Sequence, residues 1–209
     1  MVEELIAGHG RFRAEYAAEE REFLERLAAN GQRPSALFIG CSDSRVIPEL
    51  LTDAAPGELF VVRNVANLVP VRDDPDTSVG AAIEYAVEQL GVREVIVCGH
   101  DGCGGVKAAF DGLPGIEPNS ELAVWLHGLL PAVARARASD PDPRRQLRRA
   151  IEENVLDGIA NLMSFPSIGP SVQAERIRLH GWVYDLQEAT LRVYDAAHDT
   201  FARVDDIAV

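Results

Sequence analysis

The sequence predicts an α/β fold: a single domain with a central, mainly parallel sheet flanked by helices and a helical N-terminal arm. Three observations predict it. Short apolar runs alternate with amphipathic helical segments, the pattern of β-α-β units. The runs close on punctuating residues, such as Gly40 and Gly99. The chain has 209 residues, 47% of them hydrophobic, which suffices to bury one substantial core. No internal repeat, low-complexity stretch or long linker divides it. Residues 1–209 are therefore read as one domain, with residues 1–30 as the arm.

In the arm, Phe23, Leu24 and Leu27 recur at helical spacing until Asn30-Gly31 stops the run. Residues 36–39 read as a buried strand. Residues 59–62 form a second strand, after the turn residues Pro56-Gly57. Thr77 or Ser78 caps a helix whose apolar face is Val79, Ile83, Ala86, Val87 and Leu90, and Gly91 supplies its stop. Residues 95–98 form a third strand. Gly104-Gly105 leads into a short helix. Longer helices are predicted over 120–138 and 143–163, separated by residues 140–143. Late strands are predicted over 176–186 and 191–195.

Charge and composition narrow the function. The formal net charge of −13 disfavours nucleic acid and anionic membranes as partners, but not a small neutral substrate. Residues 1–16 lack a basic-then-apolar leader, and no stretch approaches the ~18 apolar residues of a membrane span. The expectation is a soluble, cytoplasmic protein. The three cysteines, Cys41, Cys98 and Cys103, are too few and too odd in number for a disulfide framework. In a reducing compartment they are core residues, metal ligands or nucleophiles.

Two segments carry chemistry. Cys41-Ser42-Asp43-Ser44-Arg45 and His100-Asp101-Gly102-Cys103 each follow a predicted buried strand. In parallel sheets, ligands sit beyond the carboxyl ends of the strands. If the two strands are neighbours, Cys41, His100 and Cys103 converge on one point. Two thiolates and an imidazole suit zinc, and three protein ligands leave a fourth position open, as in catalytic sites. Zinc there yields hydroxide near neutral pH. Asp43 has two possible jobs: to orient the hydroxide, or to bind the metal and shut the site. A fork-like pair with Arg45 holds the carboxylate off the metal and decides between them. Cys98, inside a strand, reads as a buried core residue.

These segments resemble the β-class carbonic anhydrases. The family pattern runs through Cys41–Arg45, then P-G-E-x-F-V-V-R-N-x-A-N at residues 56–67, G-A-A-I-E-Y-A-V at 80–87 and G-H-x-x-C-G-G at 99–105. Glu153-Asn154-Val155 and His180-Gly181-Trp182 with Tyr184 fit its later helix and strand. The resemblance covers roughly residues 31–195, and the ordered combination is far more specific than any piece. It implies one zinc ion per chain on Cys41, His100 and Cys103, with Asp43 and Arg45 as the activating dyad. It also implies that attack of zinc-bound hydroxide on carbon dioxide gives bicarbonate and a proton. Gln32, Phe60, Val65 and Tyr85 match the substrate pocket of the plant-like, open-site branch. Phe38 stands where a closed-state branch carries tryptophan, although Arg63 and Tyr184 match other members of that branch's regulatory site. The resemblance further implies a homodimer or homotetramer. Two rivals are hydrolysis of carbonyl sulfide or carbon disulfide by the same metal set, and a non-catalytic zinc scaffold. The intact Asp43 and Arg45 count against the scaffold.

Overall fold

A computed structural model describes residues 1–75 and 77–206. The chain divides into two units, Met1–Arg33 and Pro34–Val209. The first unit includes residues 1–30, read from the sequence as a helical arm. It contains α1 (Val2–Ala14), α2 (Tyr16–Glu19) and α3 (Arg21–Asn30), and Gly31 ends α3 with φ of 68°.

In the second unit the order is β1 (Ala36–Cys41), α4 (Pro48–Thr52), β2 (Leu59–Asn64), α5 (Ser78–Glu84), β3 (Glu94–His100) and α6 (Gly104–Phe110). There follow α7 (Glu121–Leu126), α8 (Leu130–Ser139), α9 (Pro143–Leu162), α10 (Gly169–Gln173), β4 (Arg178–Asp185), β5 (Thr190–Asp195) and β6 (Thr200–Arg203). The sheet order is β2-β1-β3-β4-β5-β6. The pairings from β2 through β4 are parallel, and the last two are antiparallel. The mainly parallel expectation therefore holds, with an antiparallel edge.

Side chains alternate across the sheet, as strand geometry requires. Leu37, Ile39, Val95 and Val97 join the larger core, with Ile83 of α5, Val106 of α6, Val133 of α8 and Ile151 and Val155 of α9. Ala36, Phe38, Ile96 and Cys98 form a smaller cluster, with Leu51, Trp182 and Tyr184 against it. Phe38 meets Trp182 edge-on at 6.2 Å between centroids, a favourable aromatic geometry.

Four differences from the sequence reading have physical causes. β1 and β3 run on past the glycines expected to stop them, to Cys41 and His100, because Gly40 and Gly99 are paired strand residues. The long helix expected over 120–138 is broken by a tight turn at His127–Leu129. It restarts with Pro131 in its first turn, where the missing N–H does no harm. After Glu84 the α5 helix widens into a π-helical turn, Tyr85–Gln89. The edge strand β6 and the short α4 and α10 had no periodic signal long enough to read.

Helix α9 lies against β3 and β4 through glycine. A Cβ on Gly181 would stand 2.9 Å from Ile159 Cδ1 and 3.1 Å from Val155 Cγ1. This close approach seats the helix beside the strand that ends in His100. Replacing Gly181 by Val should destabilise the fold by about 2 kcal/mol through overpacking. A urea midpoint equal to wild type would contradict that account.

Candidate metal centre

β1 and β3 are parallel neighbours, with Gly40 opposite Cys98. Their carboxyl ends therefore leave the sheet side by side. Cys41 is the last residue of β1, His100 the last of β3, and Cys103 immediately precedes α6. All three are buried, and their donor atoms lie within 4.8 Å of one another. The two sulfurs are 3.9 Å apart. Two thiolates about 2.3 Å from a tetrahedral zinc stand about 3.8 Å apart, so the pair already has metal-ligand spacing.

His100 supplies the sharper observation. Its Nδ1 is 3.1 Å from the Asp101 carbonyl, which can only accept, so Nδ1 carries the proton. Nε2 is then a bare lone pair. It is buried, with no hydrogen-bond partner among the described residues. Orphaned buried acceptors are costly, and here the adjacent thiols complete a soft donor set for a transition metal.

The thiols share a proton. Cys41 is held well below the ordinary thiol range, chiefly because the Cys103 S–H donates to it, and the Asp43 amide adds to the effect. The Asp43 N–H lies 3.4 Å from that sulfur. Cys103 is correspondingly pushed up by the same hydrogen bond and by burial. A dication held between them would favour both sulfurs as thiolates. Cys98 stays apart: burial pushes its thiol up to about 12. It is the core residue the sequence predicted.

Asp43 and Arg45 form the expected fork. Arg45 Nε donates to Oδ1 at 2.9 Å, Nη2 donates to Oδ2 at 2.7 Å, and the Arg45 amide donates to Oδ1 at 3.0 Å. Those bonds, above all the guanidinium's, hold the Asp43 carboxyl far below the usual carboxylate range. Oδ2 also lies 3.8 Å from His100 Nε2, beside the donor cluster. Arg63 fixes the turn from beneath, donating from Nε to the Cys41 carbonyl at 3.0 Å and from Nη2 to the Asp43 carbonyl at 2.6 Å. The sequence offered only its family position, not this brace. Asp101 between the ligands is clamped as well. Arg192 Nη2 reaches its Oδ1 at 2.9 Å while Nη1 reaches Glu152 Oε1 at 3.0 Å.

The predicted pocket residues separate. Val65 follows β2 directly, next to Asn64, which pairs with Cys41 in the sheet. Phe60 pairs with Leu37 instead, four residues back along β2, or roughly 13 Å at about 3.3 Å per residue. Phe60 packs on Tyr85, with ring centroids 5.9 Å apart. Within one chain, Val65 thus joins the cluster's surroundings and the Phe60–Tyr85 pair does not. Gln32 follows Gly31 in the N-terminal unit.

A carbonic anhydrase family model matches residues 36–191. The carbonic anhydrase of Pseudomonas aeruginosa is 39% identical over 206 residues, which span 96% of this chain and 90% of that protein. The solved structure of the β-carbonic anhydrase CcaA is similar with a TM-score of 0.89 at 33% identity, covering 97% of this chain and 98% of that one. A tetrameric β-carbonic anhydrase from the filamentous ascomycete Sordaria macrospora gives 0.80 at 30% identity, covering 92% and 95%. Similarity over this much of the chain, through the segments that carry the cluster and its dyad, makes the chain a member of the β-carbonic anhydrase family and an enzyme of that kind.

Proposed function

We propose that the chain reversibly hydrates carbon dioxide to bicarbonate and a proton, using one zinc ion per chain held by Cys41, His100 and Cys103. The buried, orphaned Nε2 of His100, set against two thiols at ligand spacing, carries the reading. Zinc held there would supply a Lewis acid that makes hydroxide available near neutral pH.

The chain's own residues do the rest. Asp43 Oδ2 offers an ionised acceptor beside the donor cluster. As a pure acceptor, it orients the nucleophile by taking its O–H and leaving a lone pair free for carbon. Arg45 occupies both carboxylate oxygens, which keeps Asp43 from closing the open position. That fork supports the open-site, plant-like reading. Phe60, Val65 and Tyr85 then supply apolar surface suited to a linear nonpolar molecule. Val65 and Tyr85 are 40% and 47% exposed in the single chain. The distance of the Phe60–Tyr85 pair from the cluster supports a homodimer or homotetramer, in which that pair serves a second copy. Three free cysteines suit a reducing, cytoplasmic setting.

Replacing Cys103 by Ser should strip most zinc from the protein. Metal analysis giving full occupancy in that variant would sink the ligand assignment. Asp43→Asn and Arg45→Ala should each lower turnover by about 10- to 100-fold with zinc retained. Near-normal rates in either would leave the fork without a role. The active nucleophile is the deprotonated one, and two anionic thiolates make its parent water less acidic than three imidazoles would. Hydration should therefore rise from neutral into mildly alkaline pH. A stopped-flow profile that is flat or falling across this range would contradict the mechanism.

A further inference from the structure

The loop that follows β2 is left-handed without glycine. Ala66 has φ of 66° and Asn67 has φ of 46°. Such backbone is unfavourable for L-residues and persists only where its surroundings impose it.

Three side chains impose it here. Asn154 of α9, 2% exposed on the residue scale, donates from Nδ2 to the Ala66 carbonyl at 2.8 Å. Trp125 of α7 donates from Nε1 to the Val65 carbonyl at 2.8 Å. Asn64 closes the loop, accepting from the Leu68 amide at 2.8 Å and donating to the Leu68 carbonyl at 2.9 Å.

The loop is wedged between the two sulfur-bearing segments. On one side, Asn64 pairs with Cys41, and its carbonyl accepts from the Ser42 amide at 2.8 Å. On the other side, a Cβ on Gly105, two residues past Cys103, would stand 3.0 Å from both Ala66 Cβ and Val65 Cγ1. Only glycine lets the loop bed so closely on the start of α6.

We propose that Asn154 and Trp125 are positioning residues for the hydration reaction: by holding the Val65 and Ala66 carbonyls, they keep the loop left-handed, with Val65 set toward substrate and the loop bedded between the Cys41 and Cys103 segments. Neither residue need touch substrate or metal. Both act through the loop, which packs against the two segments that carry the sulfurs and so fixes where those ligands stand. The inference rests on the zinc reading above.

Strain provides the test. Trp125→Phe keeps the ring and deletes the donor. Asn154→Leu keeps the bulk and deletes the amide. Ala66→Gly makes the left-handed backbone unstrained. Each donor deletion should lower kcat/KM and weaken zinc binding by about tenfold, the latter read on apoprotein by chelator competition. Adding Ala66→Gly to Asn154→Leu should recover about threefold or more of both, because the loop then adopts its conformation without the clamp. A residue that merely fills space in α9 would show no such rescue. If Asn154→Leu does not fold, the same rescue is read in the Trp125→Phe background. Absence of rescue, or a Trp125→Phe protein equal to wild type in both readouts, would overturn the proposal. Wild-type protein that binds no zinc would take down both readings, whereas fully zinc-loaded wild type with unaffected variants removes only this one.

Discussion

Parallel pairing of β1 with β3 brings Cys41 and His100 out of the sheet side by side, and every other feature of the site depends on it. The pairing is held in register by the alternation of the strands. Leu37, Ile39 and Cys41 share the face of the larger core, while Ala36 and Phe38 face the smaller one. A slip of one residue would send Cys41 to the wrong face and strip the core of its aliphatic layer. Helix α9 locks the arrangement from above, with Val155 and Ile151 against Gly99 and Gly181 receiving Ile159. The contacts that stabilise the fold are therefore the contacts that aim the ligands.

Around that point the chain concentrates negative charge and then balances it locally. Two thiols, Asp43 and Asp101 converge on a few residues, and uncompensated buried charge is expensive. Arg45 neutralises Asp43 through a two-bond fork, and Arg192 and Arg148 neutralise Asp101. Arg63 spends its donors on the Cys41 and Asp43 carbonyls, making the turn itself rigid. A metal dication held by the cluster would complete the balance. The net charge of −13 does not hinder a neutral substrate, and it repels an anionic product from the surface.

Much of this was legible in the sequence, because ligand chemistry and strand ends are local signals. Cys41 and His100 each follow a short apolar run, Cys103 stands three residues past His100, and Asp43 and Arg45 lie close after the first ligand. What escaped the sequence was geometry that depends on distant partners. Gly40 and Gly99 looked like strand stops but are paired residues that admit close packing. The left-handed Ala66 and Asn67 carry no glycine to announce them, and their clamps come from α7 and α9, roughly 60 and 90 residues away on the chain. Phe60 and Val65 look like one pocket wall in a motif, yet the strand between them separates Phe60 from the cluster. His127, inside the helix expected over 120–138, is exposed at the break before α8.

The central claim is that this donor cluster, loaded with zinc, hydrates carbon dioxide. The most direct test is stopped-flow hydration on protein whose zinc has been quantified, removed and restored in steps. The account predicts a rate proportional to zinc occupancy, vanishing in the apoprotein and returning with one equivalent per chain. Fully loaded, folded protein that does not accelerate hydration would contradict it and leave a zinc scaffold in its place.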